Sequence, residues 1–307
     1  MRIFLTGTEG QVGGALLPLL ERLGTVVAPK LGEFDFSKPD TLTAILDRAM
    51  PNLIVNPAAY TAVDRAEDER ELAFLINAKA PAVIARWAAT YNVPMVHFST
   101  DYVFDGSGTA PRREDSATGP LSVYGASKLA GDNAVKAAGG AHLIIRTSWV
   151  YAAEGANFLR TMARLAGERT ELRVVADQIG APTTAKAISD ALIDILQAGM
   201  PNIGGLLAKR GGVVNVVCAG ETSWHGFATA IVAGLKSRGV KLQAEKVIAI
   251  TTSEFPAKAK RPANSRLDPT RLRDVFGVTM PSWQRALDHE LDFLCAGVDE
   301  RSQLSTK

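Results

Sequence analysis

Two side chains suited to acid–base chemistry, Tyr124 and Lys128, lie four residues apart. On a helix that contains both positions, the phenol and the ammonium share one face. A phenol ordinarily ionises near pH ~10, and a neighbouring ammonium stabilises the phenolate, so the pair is suited to moving a proton nearer neutral pH. The spacing alone is weak evidence, because an incidental surface pair of this kind arises easily by chance.

A hydroxyl-bearing segment, Ser99-Thr100-Asp101-Tyr102, stands at the end of a predicted strand upstream of this pair. In parallel α/β sheets, ligands bind outside the carboxyl ends of the strands, where a hydroxyl can hold a carbonyl oxygen beside a phenol. The alternative is a polar cap that closes the strand. With a dinucleotide loop upstream, Thr100, Tyr124 and Lys128 together predict carbonyl reduction, in which a nicotinamide gives hydride and Tyr124 gives the proton.

The dinucleotide loop is predicted at the start of the chain, where Gly7, Gly10 and Gly13 give the spacing G-x-x-G-x-x-G between a strand and a helix. Small residues there let the backbone turn tightly and approach a pyrophosphate at the positive end of the helix. The alternative is a glycine-rich turn without a ligand. Lys30 follows the second predicted strand, where a cation accepts the 2′-phosphate of NADPH, although a solvated surface lysine explains it equally well. NADPH is therefore the favoured cofactor, with NADH still open.

The elements that must position these groups follow an alternating pattern. Strands are predicted at 3–5, 25–28, 53–56, 93–99 and 142–147, and helices at 12–23, 39–49, 69–91 (kinked at Pro81) and 127–138. This alternation predicts an α/β fold, a Rossmann-type doubly wound parallel sheet. We expect residues 1–150, with part of 222–240, to form the cofactor domain, and 151–307 to form most of a smaller, interleaved α/β substrate domain.

The second half has a less regular pattern. Helices are predicted at 157–166, 184–197, 224–237 and 283–294, strands at 172–175 and 246–250, and loops at 199–212 and 253–267.

Composition narrows the class of protein. Among 307 residues, 34 Lys and Arg nearly balance 32 Asp and Glu, for a net charge of +2, which disfavours a nucleic-acid partner. The two cysteines lack metal-ligand spacing and suit a cytoplasmic protein with reduced thiols. The apolar N-terminal run is too short for a signal or a membrane span, so we expect no membrane partner.

These residues resemble the extended short-chain dehydrogenase/reductases, and among them the RmlD family of dTDP-4-dehydrorhamnose reductases. The resemblance rests on segments 7–13, 35–37, 56–64, 99–106, 124–128, 146–151, 177–183 and 261–267. It implies cofactor contacts from Gly10, Gln11 and Val12 (pyrophosphate), Asp35 and Phe36 (adenine), and Ala59, Tyr60 and Thr61 (ribose and phosphates). It also implies that Thr100, Tyr124 and Lys128 form the catalytic set, with Lys128 on the nicotinamide ribose.

For the substrate, the resemblance implies sugar contacts from Asp101 and Trp149, although Trp149 is also interpretable as a packing aromatic. Arg261 and Arg266 flank Asn264 in a loop that the family pattern directs toward a diphosphate, for which a guanidinium fork is suited. A solvated charge is the alternative for either arginine.

The implied reaction is NADPH-dependent reduction of the 4-keto group of dTDP-4-dehydro-6-deoxy-L-mannose to dTDP-L-rhamnose, by a monomer or homodimer. Another nucleotide-linked 4-keto sugar, or a non-catalytic cofactor-binding regulatory subunit, is the alternative. Some relatives carry a glutamate, linked to a magnesium-bridged dimer, where Ala15 stands here. Without that carboxylate a hard cation has one oxygen ligand fewer, so Mg²⁺ is implied by resemblance only and no residue is predicted to bind a metal.

Overall fold

A six-stranded parallel sheet forms the centre of the computed structural model, which describes residues 1–30 and 32–304, with side chains to residue 296. The strands are β1 (Arg2–Leu5), β2 (Thr25–Val27), β3 (Leu53–Asn56), β4 (Met95–Thr100), β5 (His142–Thr147), β6 (Val150–Tyr151), β7 (Glu171–Val175), β8 (Ile179–Gly180), β9 (Thr183–Thr184), β10 (Gly212–Asn215), β11 (Thr222–Ser223) and β12 (Lys246–Ile250). The sheet order is β10-β5-β4-β3-β1-β2, and every neighbouring pair is parallel.

Helices cover both faces of this sheet. They are α1 (Gln11–Leu20), α2 (Leu42–Ala49), α3 (Val63–Ala66), α4 (Arg70–Phe74), α5 (Ala80–Thr90), α6 (Val123–Ala137), α7 (Phe158–Glu168), α8 (Ala185–Ala198), α9 (Ile203–Arg210), α10 (Trp224–Ser237), α11 (Thr270–Phe276) and α12 (Trp283–Leu304). Side chains of β1 alternate between two buried clusters, Ile3 and Leu5 on one face and Phe4 on the other, as the pleat of a strand requires. The predicted doubly wound parallel sheet is confirmed.

The strand order reverses beside β1, which pairs with β2 on one side and β3 on the other. Ligands of doubly wound sheets bind at such a point, outside the carboxyl ends of the strands. The glycine loop follows β1 directly, and the Ala59–Thr61 segment follows β3. The topology therefore places both predicted cofactor segments at one edge.

The second half of the chain contributes to this sheet through β10, which pairs with β5, while α8 packs against α1. By contrast, α10, within the 222–240 segment that we expected to join the cofactor domain, packs against α7, β7, β12 and α12. The division into residues 1–150 and 151–307 stays a prediction.

The prediction of a loop at 199–212 is wrong, because α9 lies within this range. Asn202 caps this helix by accepting a hydrogen bond from the Gly205 N–H at 2.8 Å, and Ile203 and Leu207 are buried. Two glycines in a helix cost about 1 kcal/mol each relative to alanine, but the cap and the burial outweigh that cost.

The helix predicted at 69–91 is interrupted by a π-helical turn, Leu75–Lys79, rather than by Pro81. Pro81 lies in the first turn of α5, directly after the π-helical turn. Within the described residues, the run Arg70–Thr90 is the single helix with the length and hydropathy of a membrane span, and α8 with α9 passes that test only as a pair bent by 105°. Ile84 and Trp87 of the run are buried against the sheet, as in a core helix.

Candidate active site

Three side chains predicted to be catalytic meet at the carboxyl end of β4. Thr100 is the last residue of that strand, and Tyr124 and Lys128 lie one turn apart on α6. The Thr100 hydroxyl lies close enough to the Tyr124 phenol to act on its pKa. The Lys128 ammonium is buried and donates to the Phe98 carbonyl oxygen of β4 at 2.6 Å. A hydroxyl, a phenol and an ammonium from separate stretches thus share one site.

Helix α6 packs closely against the turn after β4 and against the π-helical turn because glycines face both. A Cβ at Gly125 would lie 2.2 Å from the Tyr102 carbonyl oxygen, and one at Gly131 would lie 2.1 Å from the Asn77 carbonyl oxygen. The helix begins at Val123 rather than at residue 127 as predicted, because the Ser122 side chain accepts a hydrogen bond from the Gly125 N–H. Tyr124 is therefore fixed on the helix and not on a preceding loop.

Burial dominates the protonation of this site. It raises the pKa of the Tyr124 phenol above its usual value, and the nearby Thr100 hydroxyl opposes that rise. Burial also lowers the pKa of Lys128 to about 8, with the Asp132 carboxylate opposing it. The expected lowering of the phenol pKa by the ammonium is therefore not observed. At neutral pH the phenol carries its proton, as a proton donor must.

A buried ion pair below the site was missed by sequence reasoning. Asp132 and Arg146 lie 3.3 Å apart with side chains at most 1% exposed. The Ser99 hydroxyl donates to the same Asp132 carboxylate at 2.9 Å, and the Arg146 guanidinium lies over the Phe104 ring. The available signal was an acid four residues after Lys128, on the same face of α6.

Asp101, predicted to contact the sugar, is buried directly beside Thr100, whose hydroxyl donates to it at 3.1 Å. Burial raises the pKa of Asp101 to about 6, and the nearby Ser265 hydroxyl opposes that rise. Ser265 is close enough to act on this pKa, but Asp101 Oδ2 has no well-formed hydrogen bond. Asp101 therefore has one oxygen able to accept a further donor.

The glycine loop has the shape that a pyrophosphate needs. Gly7 has a φ of +63°, and a Cβ at Gly13 would lie only 2.0 Å from the Gly7 carbonyl oxygen. Gly10, at the N-cap of α1, has no side chain that could accept from the first N–H groups of the helix. Bare N–H groups at a helix N-terminus form an anion site. The residues present therefore fit a dinucleotide cofactor.

The other predicted cofactor residues are spread along the same edge. Gln11 accepts a hydrogen bond from Asn157 at 3.1 Å. Asp35 accepts from the Ser37 hydroxyl at 2.6 Å, and this bond lowers the pKa of Asp35. Phe36 is buried, while Val12, Ala59, Tyr60 and Thr61 range from half-buried to exposed.

The Tyr60 N–H is held by Asn77 Oδ1 at 2.8 Å. Lys30 is exposed, and its side chain has no partner among the described residues. The structure brings the loop and the β3 segment to one edge and leaves Lys30 beside solvent.

Trp149 has a backbone φ of +50°, a left-handed conformation rare for a bulky residue. Its ring stacks on Trp224 with centroids 3.7 Å apart. Local strain of this kind is held only where surrounding contacts determine it. The tryptophan is half-buried, so packing and a sugar contact are both consistent with its position.

The arginine loop divides its residues between two roles. Arg261 is one-quarter exposed and pairs with Asp64 at 2.8 Å. Asn264 is buried, and its amide donates to the carbonyl oxygens of Ser107 and Ala110. Arg266 pairs through two nitrogens with Glu221. Asn264 and Arg266 thus hold the loop in shape, and Arg261 alone keeps a guanidinium near the site.

No cluster of three or more His, Cys, Asp or Glu suited to a metal occurs among the described residues. Two surface clefts, of about 310 and 520 Å³, lie beside α8 and between α2 and α5, and neither is lined by a predicted site residue.

Comparisons with known proteins identify the family of the chain. The sequence profile described as the RmlD substrate binding domain matches residues 1–295. The chain belongs to the RmlD family. Its RmlD relatives include the dTDP-4-dehydrorhamnose reductase of Burkholderia thailandensis, 46% identical over 94% of this chain and 97% of that protein. That of Escherichia coli K12 is 40% identical over 96% and 98%.

Solved RmlD structures share the fold. The dTDP-4-dehydrorhamnose reductase of Clostridium acetobutylicum has a TM-score of 0.86 and 33% identity, covering 96% of this chain and 99% of its own. The Bacillus anthracis reductase, solved in complex with NADP, has a TM-score of 0.85 and 33% identity, covering 94% and 98%.

Proposed function

We propose that this protein reduces the 4-keto group of dTDP-4-dehydro-6-deoxy-L-mannose to give dTDP-L-rhamnose, with NADPH as the favoured reductant. One observation carries the proposal: Thr100, Tyr124 and Lys128 meet at the carboxyl end of β4 in a sheet whose glycine loop fits a dinucleotide. Relatives 40–46% identical are named for this reaction, which supports the choice of substrate.

NADPH, when bound, supplies the hydride that reaches the keto carbon. Tyr124 donates its phenolic proton to the keto oxygen of the substrate as that oxygen gains negative charge. The raised pKa of Tyr124 keeps the proton on the phenol before the transfer. The Thr100 hydroxyl, close to the phenol, would hydrogen-bond the same keto oxygen. Lys128, charged below about pH 8, would hold the nicotinamide ribose.

Binding contacts complete the proposal. The pyrophosphate would be held by Gly7, Gly10, Gln11, Val12 and Gly13. The rest of the cofactor would contact Lys30, Asp35, Phe36, Ala59, Tyr60 and Thr61. For the nucleotide sugar we propose Asp101, Trp149 and Arg261. Asn264 stays a predicted substrate residue, although its hydrogen bonds support a role in shaping the loop. The proposed enzyme is a cytoplasmic monomer or homodimer, and we assign no metal ligand among its described residues.

A regulatory subunit without catalysis is the alternative from another class. The convergence of Thr100, Tyr124 and Lys128 argues against it, because a scaffold needs no proton donor. Another nucleotide-linked 4-keto sugar is the alternative within the same chemistry. The Arg261 guanidinium would bind the diphosphate, which all nucleotide sugars share, and does not distinguish the base.

The direct experiment follows loss of the near-ultraviolet absorbance of NADPH with enzymatically prepared dTDP-4-keto sugar. NADH, and the UDP- and GDP-linked keto sugars, are run in parallel. Rapid NADPH oxidation with the dTDP sugar supports the proposal. Faster turnover of a UDP or GDP sugar would change the substrate, and no oxidation with any sugar, combined with tight binding of a second protein, would favour the regulatory subunit.

A further inference from the structure

A basic segment that we name the strap, residues 251–267, crosses from the end of β12 to the cofactor side of the site. At its start Thr252 is held by the Asp177 carboxylate, with a hydroxyl bond of 2.6 Å. At its end the Asn264 N–H donates to the Gly106 carbonyl oxygen at 3.0 Å, and the Ser265 N–H donates to that of Ile179 at 2.8 Å. Both ends of the strap are therefore fixed by hydrogen bonds, to Asp177 at the start and to Gly106 and Ile179 at the end.

The middle of the strap is held by α3 and the turn that follows it. Both oxygens of the Asp64 carboxylate are used: Oδ1 accepts from the Ala259 N–H at 3.0 Å, and Oδ2 accepts from Arg261 Nη2 at 2.8 Å. Lys258 pairs with Asp68 one turn further along. Asp64 and Arg261 are 197 residues apart in sequence, so this contact ties the strap to a distant part of the chain, α3.

Charge on the two surfaces is complementary. The middle of the strap carries Lys258, Lys260 and Arg261, whereas residues 64–71 carry five acids and two arginines, for a net charge of −3. Burial opposes ionisation of Asp64, but hydrogen bonds from Ala259 and Arg261 outweigh it and lower the pKa of Asp64. The Asp64 carboxylate therefore stays charged and paired at neutral pH.

This contact holds Arg261 one side chain away from Tyr124. The guanidinium lies close enough to the Tyr102 phenol to oppose the rise of its pKa on burial, and the Tyr102 ring packs edge-on against the Tyr124 ring with centroids 5.4 Å apart. The guanidinium has five N–H donors, and the hydrogen bond to Asp64 uses one nitrogen. Donors of Arg261 thus remain for an anion at the mouth of the site.

We propose that Asp64 is a positioning residue for nucleotide-sugar binding. Its carboxylate accepts hydrogen bonds from Ala259 and Arg261, which fixes the strap and holds the Arg261 guanidinium in position to bind the substrate diphosphate. The inference rests on the proposed function for its substrate class. Holding a long side chain in its bound position before association removes part of the ordering cost of binding. We name this contact of Asp64 with Ala259 and Arg261 the clasp. Its Asp64–Arg261 ion pair lies near the surface, so salt weakens it.

Limited trypsin digestion tests the clasp without catalysis. Trypsin cuts after Lys258 and Lys260, and mass spectrometry identifies those two cuts among others. We expect Asp64→Asn to be cut there about tenfold faster than the wild type, and 0.5 M NaCl to speed the wild-type cuts. The matched control is Asp274→Asn, which removes an exposed acid that pairs with Arg273 away from the site. Equal rates in Asp64→Asn and the wild type would overturn the clasp.

Nucleotide binding supplies a second arm, with dTDP as the probe. We expect dTDP to slow the strap cuts in the wild type and to do so about tenfold less effectively, by concentration, in Asp64→Asn. In the reductase assay, the same variant should raise KM for the nucleotide sugar about tenfold and leave kcat and the NADPH Kd near wild type. A lowered KM would show that Asp64 competes with the substrate for Arg261, which contradicts the proposal.

The two arms separate this inference from the proposed function. A wild type that oxidises no NADPH with the dTDP-keto sugar rejects the function, while trypsin still reports on the clasp. A wild type with full activity, and an Asp64→Asn variant that matches it in KM and in strap cutting, rejects the clasp alone.

Discussion

Replacing Lys128 with Met should stabilise the folded protein at neutral pH while it abolishes most activity. The ammonium is 2% exposed, and burial lowers its pKa from 10.5 to about 8. A lysine with a lower pKa in the folded than in the unfolded state destabilises the fold at every pH below the folded value. That cost is relieved as the pH rises from about 8 to 10.5, because the unfolded chain then binds more protons than the folded one.

The magnitude follows from the same two values. At ~1.4 kcal/mol per pH unit, a fall from 10.5 to about 8 corresponds to roughly 3 kcal/mol at pH 7. Methionine has nearly the same length but cannot donate to the Phe98 carbonyl oxygen, and the loss of that hydrogen bond takes back about 1 kcal/mol. We therefore expect the free energy of unfolding to rise by about 2 kcal/mol at pH 7.

Urea unfolding followed by circular dichroism measures this difference between pH 7 and pH 10. The advantage of Lys128→Met should be constant up to about pH 8 and then shrink by at most ~1.4 kcal/mol per pH unit. The control, Lys209→Met, changes an exposed lysine of α9 and should show no such dependence. If the gain in free energy of unfolding of Lys128→Met is independent of pH, or grows with pH, burial of the charged Lys128 does not destabilise the fold.

Further substitutions test the proton donor, the glycine loop and the cofactor phosphate. Tyr124→Phe should lower kcat by roughly 10²–10⁴-fold and leave the NADPH Kd, measured by fluorescence, within a factor of about two. Gly13→Ala places a Cβ 2.0 Å from the Gly7 carbonyl oxygen and should weaken NADPH at least tenfold, or about 1.4 kcal/mol, by calorimetry. Its control, Gly167→Ala, meets nothing within 4 Å and should bind NADPH normally. Lys30→Ala should raise the KM for NADPH several-fold and leave that for NADH unchanged, whereas equal effects on both cofactors would mean that Lys30 does not contact the 2′-phosphate.

The parts of the fold that follow from local pattern were predictable. Buried strands such as β3 and β5 are short aliphatic runs, and the glycine spacing between β1 and α1 is typical of a dinucleotide loop. The Tyr124 and Lys128 pair was identifiable because i and i+4 share a helix face. These features depend on residues close together in the chain.

The features that sequence reasoning missed depend on distant contacts. Helix α9 forms despite two glycines because Ile203 and Leu207 find a core built by other elements. The Asp132–Arg146 pair joins α6 to β5, and Asp64 reaches the strap across most of the chain. The pKa of Tyr124 was expected to fall, but the burial that raises it depends on how tightly α6 packs against β4. Neither burial nor such pairing is visible in local spacing.

Isotope transfer tests the proposed hydride step without reliance on any variant. NADPH deuterated at both C4 positions of the nicotinamide is incubated with the protein and dTDP-4-dehydro-6-deoxy-L-mannose, and the product is analysed by mass spectrometry and NMR. We predict dTDP-L-rhamnose that carries a single deuterium, located at C4 of the sugar. A product without deuterium, or with deuterium at any other carbon, would contradict the proposed reduction.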